Sequence, residues 1–312
     1  MGGRRVGLVD LDTSHPAAFL PIVRELGHEV VAVCDGGAVH DPGYAERFAA
    51  EHGIPLVCAT PEDMVGEVDI AFVHGCDWDT HVPRVRPFVE AGVPVLVDKP
   101  FAGRVDDLRT LLTWAEQGAQ ITGGSSLRWC TEVTRWRRAH AQDPAEFALV
   151  GCSGEEFDYG IHAYSLLHGL FGPGVTAVRW LGGHGQRRVE LRWADGRTGM
   201  VSVGPTAARH PFHATVLTAH GVEHLTVDPD GLYAQFLRTV LPYLAAGNPH
   251  EVPPPLPLPQ LVEPELAALA ALVSEEDGGR WVDLDDPALG RVHHDGAAFA
   301  RRYRESRRGQ TR

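Results

Sequence analysis

The chain has 312 residues, of which 44% are hydrophobic and 22% charged, and its formal net charge is −13. This is the composition of an ordinary globular protein whose length suffices for two domains. The acidic balance argues against nucleic acid or an anionic membrane as the main partner, because both favour a basic surface. No apolar run approaches the roughly 20 residues of a membrane helix, and no signal peptide is recognisable, so we expect a cytoplasmic protein with reduced cysteines.

The first part of the chain alternates short apolar runs with amphipathic stretches. The runs that read as strands are RRVGLVDL, EVVAVCD, the short PLVCAT, VDIAFVHG, VPVLVDKP and AQITGGS, and the stretches between them have the spacing of helices. Apolar strands that alternate with helices are typical of a parallel sheet covered on both faces. The sequence therefore predicts an α/β fold class, with a Rossmann doubly wound parallel sheet over residues 1–122 as a dinucleotide-binding domain.

The pattern changes after residue 123. A helix is predicted over FDYGIHAYSLLHGLFG, and the segments that follow alternate apolar and polar residues between Gly, Asp and Pro turns. Such strands suit an antiparallel sheet with one solvated face. We predict a C-terminal α+β domain over residues 123–290 for substrate binding and oligomerisation, followed by a basic helix or tail over residues 291–312.

Polar residues gather where the predicted parallel strands end. DLDTSHP follows the first strand, Asp35 the second, HGCDWDTH the fourth and DKPFAG the fifth. Ligands of open parallel sheets bind beyond the carboxyl ends of the strands. The last of these segments holds Lys99, the only lysine in a chain whose other 27 basic residues are arginines. A compact ammonium can exchange a proton with a reacting group, which a guanidinium cannot do near neutral pH.

Two stretches of the sequence resemble a known family. VLVDKPFA resembles the strand ending in Glu-Lys-Pro of the glucose–fructose oxidoreductase, inositol dehydrogenase and rhizopine-catabolism (Gfo/Idh/MocA) family, with Asp98 in place of Glu. FDYGIHAYSLLHGLFGPG resembles the family's Asp-x-Gly-x-His-x-x-Asp helix. Its Asp158, Gly160 and His162 take the first three positions, and His81 falls on the family's loop histidine. The resemblance implies an NAD(P)-dependent oxidoreductase.

The chain departs from the family pattern in three places. The Gly-x-Gly-x-x-Gly turn reads DLDTSH, so Asp10, Asp12 and His15 stand where glycines are usual. Ser165 replaces the second carboxylate of the helix motif, and the segment between Arg128 and Asp158 is short. Without glycine a backbone cannot approach a pyrophosphate as closely, and two carboxylates repel it. These departures mark a divergent branch of the family.

The resemblance implies catalytic roles for three residues. Lys99 would hydrogen-bond the reacting oxygen, His162 would act as general acid or base, and Asp158 would orient His162. Asp158 and His162 are four residues apart and share one face if both lie on a helix. The alternative for this pair is a structural hydrogen bond.

Cofactor and substrate candidates follow from position and from the resemblance. Asp35 ends the second strand, where an acidic residue accepts from the ribose 2′-hydroxyl and repels a 2′-phosphate, so NAD is favoured over NADP; a turn aspartate is the alternative. Helix N-termini attract phosphate, and hydroxyl groups there add donors. The cofactor-binding candidates are Asp12, Thr13, Ser14, His15, Asp35, His81 and Lys99, and the substrate-binding candidates are Arg128, Trp129 and Tyr159.

Histidine and carboxylate residues also cluster near the strand ends. Such nitrogen and oxygen ligands suit a divalent metal. Because their spacing follows no metal-binding motif, we assign no metal ligand from the sequence. The clustered residues are Asp10, Asp12, His15, His74, Asp77, Asp79 and His81.

The sequence therefore predicts an NAD(P)-dependent oxidoreductase that transfers hydride between nicotinamide and a secondary alcohol, carbonyl or imine. The substrate would be a small polar sugar, cyclitol or specialised metabolite. The altered turn leaves two alternatives open: a non-redox lyase, hydrolase or epimerase on the same scaffold, and a non-enzymatic ligand sensor. The resemblance also implies a homodimer or homotetramer.

Overall fold

A computed structural model describes residues 2–247 and 251–310 of the chain. The chain divides into two compact units. The first comprises residues 1–124, 237–258 and 295–312, and the second comprises residues 125–236 and 259–294. Among the described residues, none of the helices combines the length and hydropathy that a membrane crossing requires.

The first unit is built on a six-stranded sheet. Every neighbouring pair of strands is parallel. The strands are β1 (Arg5–Val9), β2 (Glu29–Cys34), β3 (Leu56–Val57), β4 (Ile70–Val73), β5 (Val95–Val97) and β6 (Ile121–Gly123). Their order is β3-β2-β1-β4-β5-β6. The chain order reverses between β1 and β4, which is where open parallel sheets bind their ligands.

Four helices connect these strands. They are α1 (His15–Glu25), α2 (Tyr44–His52), α3 (His81–Glu90) and α4 (Val105–Glu116). The strands have the near-continuous apolar sequences of a sheet buried on both faces, and β4 and β5 are buried throughout. The prediction of a doubly wound parallel sheet is confirmed.

The second unit carries a seven-stranded sheet of order β12-β11-β7-β10-β9-β8-β13. Its strands are β7 (Phe147–Ser153), β8 (Val175–Trp180), β9 (Arg187–Trp193), β10 (Thr198–Gly204), β11 (His213–Leu217), β12 (Val222–Thr226) and β13 (Val282–Asp283). All pairs are antiparallel except β7 with β10. The predicted, mostly antiparallel second sheet is confirmed.

The remaining helices are α5 (Thr131–Ala139), α6 (Gly160–Phe171), α7 (Leu232–Ala245), α8 (Leu258–Leu261), α9 (Glu263–Glu276) and α10 (Gly296–Gln310). Helix α6 packs on β7 and β10, and every one of its residues is buried. The sequence analysis did not predict α5, α8, β7 or β13.

Candidate functional site

The turn after β1 begins with Asp10, whose backbone φ is 60°. This is the left-handed region, which favours glycine. The Asp10 carboxylate accepts a hydrogen bond from the Gly36 N–H at 2.8 Å, and Arg84 Nε lies 3.3 Å from its Oδ2. Burial raises the pKa of Asp10, and the Arg84 charge opposes that shift. The Asp10 side chain therefore ties the turn to the loop after β2.

Asp12, two residues on, ties the same turn to the loop after β4. Its side chain is 1% exposed, and its Oδ2 accepts a hydrogen bond from the Cys76 N–H at 2.9 Å. Within the described part of the chain, its Oδ1 has no hydrogen-bond partner. Burial, together with the nearby Asp10 charge, raises the pKa of Asp12 to about 7.

Helix α1 follows this turn directly. The Thr13 hydroxyl oxygen accepts from the His15 N–H at 3.2 Å, and Ser14 holds the N-cap position without a side-chain cap bond. The positive end of the helix dipole lies here, at the carboxyl edge of the sheet. Thr13, Ser14 and His15 are therefore placed where an anionic group of a ligand would be favoured.

His15 is also part of a buried group with His74 and Asp98. Asp98 Oδ2 lies 2.6 Å from His15 Nδ1 and 2.9 Å from His74 Nδ1. Although burial alone would raise the pKa of Asp98, the two imidazoles hold it well below its usual range. Burial lowers the pKa of His74, so that imidazole is neutral near pH 7.

His81 is fully buried, and both of its ring nitrogens face main-chain oxygens. Nδ1 lies 3.1 Å from the Phe101 carbonyl and Nε2 lies 2.8 Å from the Gly75 carbonyl. The ring therefore joins the loops that follow β4 and β5. These two contacts hold the loops in place. Contact between His81 and a cofactor stays a prediction.

Lys99 follows β5 and is half-buried. Its N–H donates to Asp98 Oδ1 at 2.7 Å, and its bond to Pro100 is cis. Lys99 therefore lies at the carboxyl edge of the sheet, and the Asp98 side chain fixes its backbone N–H. This is the location that the sequence predicted for it.

Asp35 lines a pocket at the carboxyl end of β2. The pocket measures about 420 Å³, and His40, Asp41, Tyr44 and Arg304 are among its other lining residues. Asp35 Oδ1 lies 3.4 Å from the N–H groups of both Leu11 and Gly37, which are weak contacts. The Asp35 carboxylate can therefore still accept hydrogen bonds from a ligand in the pocket.

In the second unit, His162 lies on the first turn of α6. Its Nδ1 is 2.7 Å from the Ser125 hydroxyl, which also accepts from the Leu127 N–H at 3.2 Å. The hydroxyl can donate to Nδ1 while it accepts from Leu127, an arrangement that corresponds to the tautomer with the imidazole proton on Nε2. The sequence analysis did not identify Ser125. Its position two residues beyond the last parallel strand was the only available signal.

Aromatic rings surround His162. The Phe212 ring lies 5.2 Å and the Tyr159 ring 6.3 Å from the imidazole, measured between centroids. Arg209 donates to the Tyr159 hydroxyl at 3.0 Å, and both residues line a pocket of about 300 Å³. The structure thus brings Tyr159 and His162 together. Asp158 precedes α6 by two residues, and its predicted role in orienting His162 stays a prediction.

Arg128 is a less accessible substrate candidate. Its side chain is 4% exposed and donates to the Leu261 carbonyl at 3.0 Å. Burial lowers the pKa of Arg128 to about 10. Within the described chain, the indole N–H of the neighbouring Trp129 has no hydrogen-bond acceptor. Substrate binding by Arg128 and Trp129 stays a prediction.

The first unit has the sheet order and polar carboxyl edge of a Rossmann nucleotide-binding domain. Residues 10–123 match the model of a family described as "Oxidoreductase family, NAD-binding Rossmann fold" (GFO_IDH_MocA). The predicted resemblance to the Gfo/Idh/MocA family is therefore confirmed over this segment, which is about a third of the chain.

One curated relative is the 1,5-anhydro-D-fructose reductase of Ensifer adhaerens, which is 27% identical over 120 residues. The match covers 38% of this chain and 35% of that protein, so it spans about a third of the relative's length.

The fold is also found in solved structures. A myo-inositol dehydrogenase from Lactobacillus casei, in complex with NAD(H) and myo-inositol, aligns with a TM-score of 0.75 at 15% identity. That alignment covers 93% of this chain and all of the other. An oxidoreductase from Thermotoga maritima aligns with a TM-score of 0.73 at 16% identity, over 92% of this chain and 99% of its own. At these identities the likeness establishes the fold.

Proposed function

We propose that this chain is an NAD-dependent oxidoreductase that transfers hydride between nicotinamide and a secondary alcohol, carbonyl or imine of a small polar molecule. The observation that carries the proposal is the match of residues 10–123 to a family of NAD-binding oxidoreductases, on a sheet whose carboxyl edge bears Lys99. A sugar or cyclitol is the substrate class we favour, because one relative is a sugar reductase and one structural neighbour binds myo-inositol.

Several residues at the sheet edge would take part in binding a dinucleotide. Asp35 would accept from a ribose hydroxyl in its pocket and would repel a 2′-phosphate, which favours NAD over NADP. Thr13, Ser14 and His15 would hold the pyrophosphate at the start of α1. The carboxylates of Asp10 and Asp12 accept from main-chain N–H groups, so part of their charge is compensated within the protein. NAD would supply the hydride acceptor.

Two side chains would handle the substrate proton. The Lys99 ammonium would donate a hydrogen bond to the substrate oxygen and stabilise negative charge there. His162 would accept or return the proton, with Ser125 holding its tautomer. Tyr159 would provide an aromatic wall beside His162.

One observation favours a second candidate function. The turn after β1 lacks the glycines that admit a pyrophosphate, and its two buried carboxylates disfavour an anion. A non-redox lyase, hydrolase or epimerase that uses Lys99 and His162 would be compatible with weak NAD binding or none.

Titration with NADH, followed by nicotinamide fluorescence and by thermal melting, separates the two functions. We expect NADH to bind. Asp35→Ala should weaken NADH binding about tenfold, because one or two hydrogen bonds to the ribose are lost. Asp63→Ala, which removes an exposed carboxylate outside the pocket, is the control. If neither NADH nor NAD binds, the redox function is excluded.

Turnover tests the role of Lys99. With a substrate found by screening sugars and cyclitols for NAD reduction, Lys99→Arg should lower kcat by about 10²- to 10⁴-fold, because a guanidinium cannot replace the compact donor. Retention of wild-type kcat by Lys99→Arg would refute the assignment.

A further inference from the structure

We propose that His15, His74 and Asp98 form a binding site for a divalent first-row transition metal such as Zn²⁺. Each of the three residues offers one ligand atom, and these atoms all lie within 4.8 Å of one another. Two imidazole nitrogens and a carboxylate oxygen are a ligand set that selects such metals over Mg²⁺ or Ca²⁺.

The contacts are close to those that a metal requires. Asp98 Oδ2 is 2.6 Å from His15 Nδ1 and 2.9 Å from His74 Nδ1. Zinc bonds of about 2.0–2.1 Å in tetrahedral geometry hold neighbouring ligand atoms roughly 3.3 Å apart. These two distances therefore have to open by less than 1 Å, and the two imidazole ligand atoms lie within 4.8 Å of each other.

The backbone holds all three ligands in place. His74 and Asp98 directly follow β4 and β5, and their N–H groups continue the sheet by donating to Val9 and Val73 carbonyls, both at 2.9 Å. The second oxygen of Asp98 accepts from the Lys99 N–H at 2.7 Å. His15 is the first residue of α1. Such outer hydrogen bonds orient metal ligands and leave Oδ2 to face the metal.

The burial of Asp98 also favours a cation. Asp98 is 4% exposed, and a carboxylate removed from water is costly unless it is paired or coordinates a metal. A divalent cation would compensate that charge. The side chain of His15 is 11% exposed, whereas that of His74 is fully buried, so the metal would enter past His15.

Three protein ligands leave at least one coordination position for water or another oxygen ligand. A cation at the start of α1 would also attract the pyrophosphate that Asp10 and Asp12 disfavour. The attraction of a pyrophosphate rests on the proposed function, whereas the metal site itself does not.

The test is isothermal titration of tag-free, chelator-treated protein with Zn²⁺ alone. We expect one equivalent to bind with a Kd of about 1 μM or tighter, and His15→Asn and Asp98→Asn each to weaken binding at least tenfold. His220→Asn, which removes an exposed histidine, should leave the Kd unchanged, and Mg²⁺ should not compete. Melting curves verify that the variants are folded.

Substitution with Co²⁺ provides a measurement on the unmodified protein. Visible absorption bands of a four- or five-coordinate site with nitrogen ligands support the proposal, and the spectrum of hexaaqua cobalt overturns it. Zn²⁺ binding below half an equivalent also overturns it, as does wild-type affinity in folded His15→Asn. Because no nucleotide is present, failure here leaves the NADH result untouched.

Discussion

At the scale of single residues, Ser125 is the hydrogen-bond partner of the His162 imidazole. Its hydroxyl lies 2.7 Å from Nδ1 and is itself fixed by the Leu127 N–H. We predict that Ser125→Ala lowers kcat about fivefold with little change in KM, because one hydrogen bond of roughly 1 kcal/mol that would hold the reactive tautomer is lost. Ser125→Thr, which keeps the hydroxyl, should restore most of the activity.

Ser126 provides the matched control, since it is a buried serine in the same short turn. Ser126→Ala should leave kcat within about twofold of wild type, as expected for a residue without a catalytic contact. Equal losses in the two alanine variants would show a general effect of packing and would contradict the role of Ser125.

At the scale of elements, the turn after β1 carries a measurable energetic penalty. Burial raises the pKa of Asp12 to about 7 from an ordinary value of 3.8. A carboxyl whose pKa is raised by folding destabilises the protein as pH rises between these two values, because the folded state retains a proton that the unfolded state has lost. The penalty is complete above about pH 7.

We therefore predict that Asp12→Asn raises the melting temperature by several degrees at pH 8, and that the gain shrinks toward pH 4. The amide oxygen can still accept from the Cys76 N–H, so the loop contact is retained. Asp106→Asn, at an exposed helix position, should have little effect at either pH. A gain that is the same at pH 8 and pH 5 would contradict the ionisation argument.

The elements differ in how far the sequence revealed them. The apolar strands of the first unit were recognisable because burial on both faces leaves continuous hydrophobic runs. Strand β7 was missed although it is central to its sheet, because Gly151 and Cys152 interrupt its alternation and its parallel partner β10 lies some 50 residues away. Such long-range pairing leaves no local signal.

The residues of the candidate site were also only partly predictable from the sequence. Strand ends indicated Lys99, Asp35 and the start of α1, because chain position alone places them at one sheet edge. The convergence of His15, His74 and Asp98 depends on side-chain directions from three separate elements. The sequence pattern included the two histidines in a larger, unspecific set and did not include Asp98 as a ligand.

At the scale of the whole molecule, one face of the second sheet exposes three apolar side chains. Leu149 of β7 and Leu217 of β11 are 36% and 37% exposed, and Val222 of β12, which pairs with Leu217, is 58% exposed. The register of these strands places the three side chains on one face, whereas Ala148 and Val216 face the core. Exposed apolar side chains that share one sheet face favour association.

We predict that two copies of the chain associate through this face, so that light scattering after size exclusion gives at least twice the 33.9 kDa of one chain. Leu217→Asp should shift the protein toward monomer, because a carboxylate buried in the interface costs several kcal/mol unless it is paired. Leu56→Asp is the matched control, since Leu56 is also 37% exposed but belongs to the first unit. A wild-type monomer at tens of micromolar, or equal dissociation by both variants, would exclude this face as the interface.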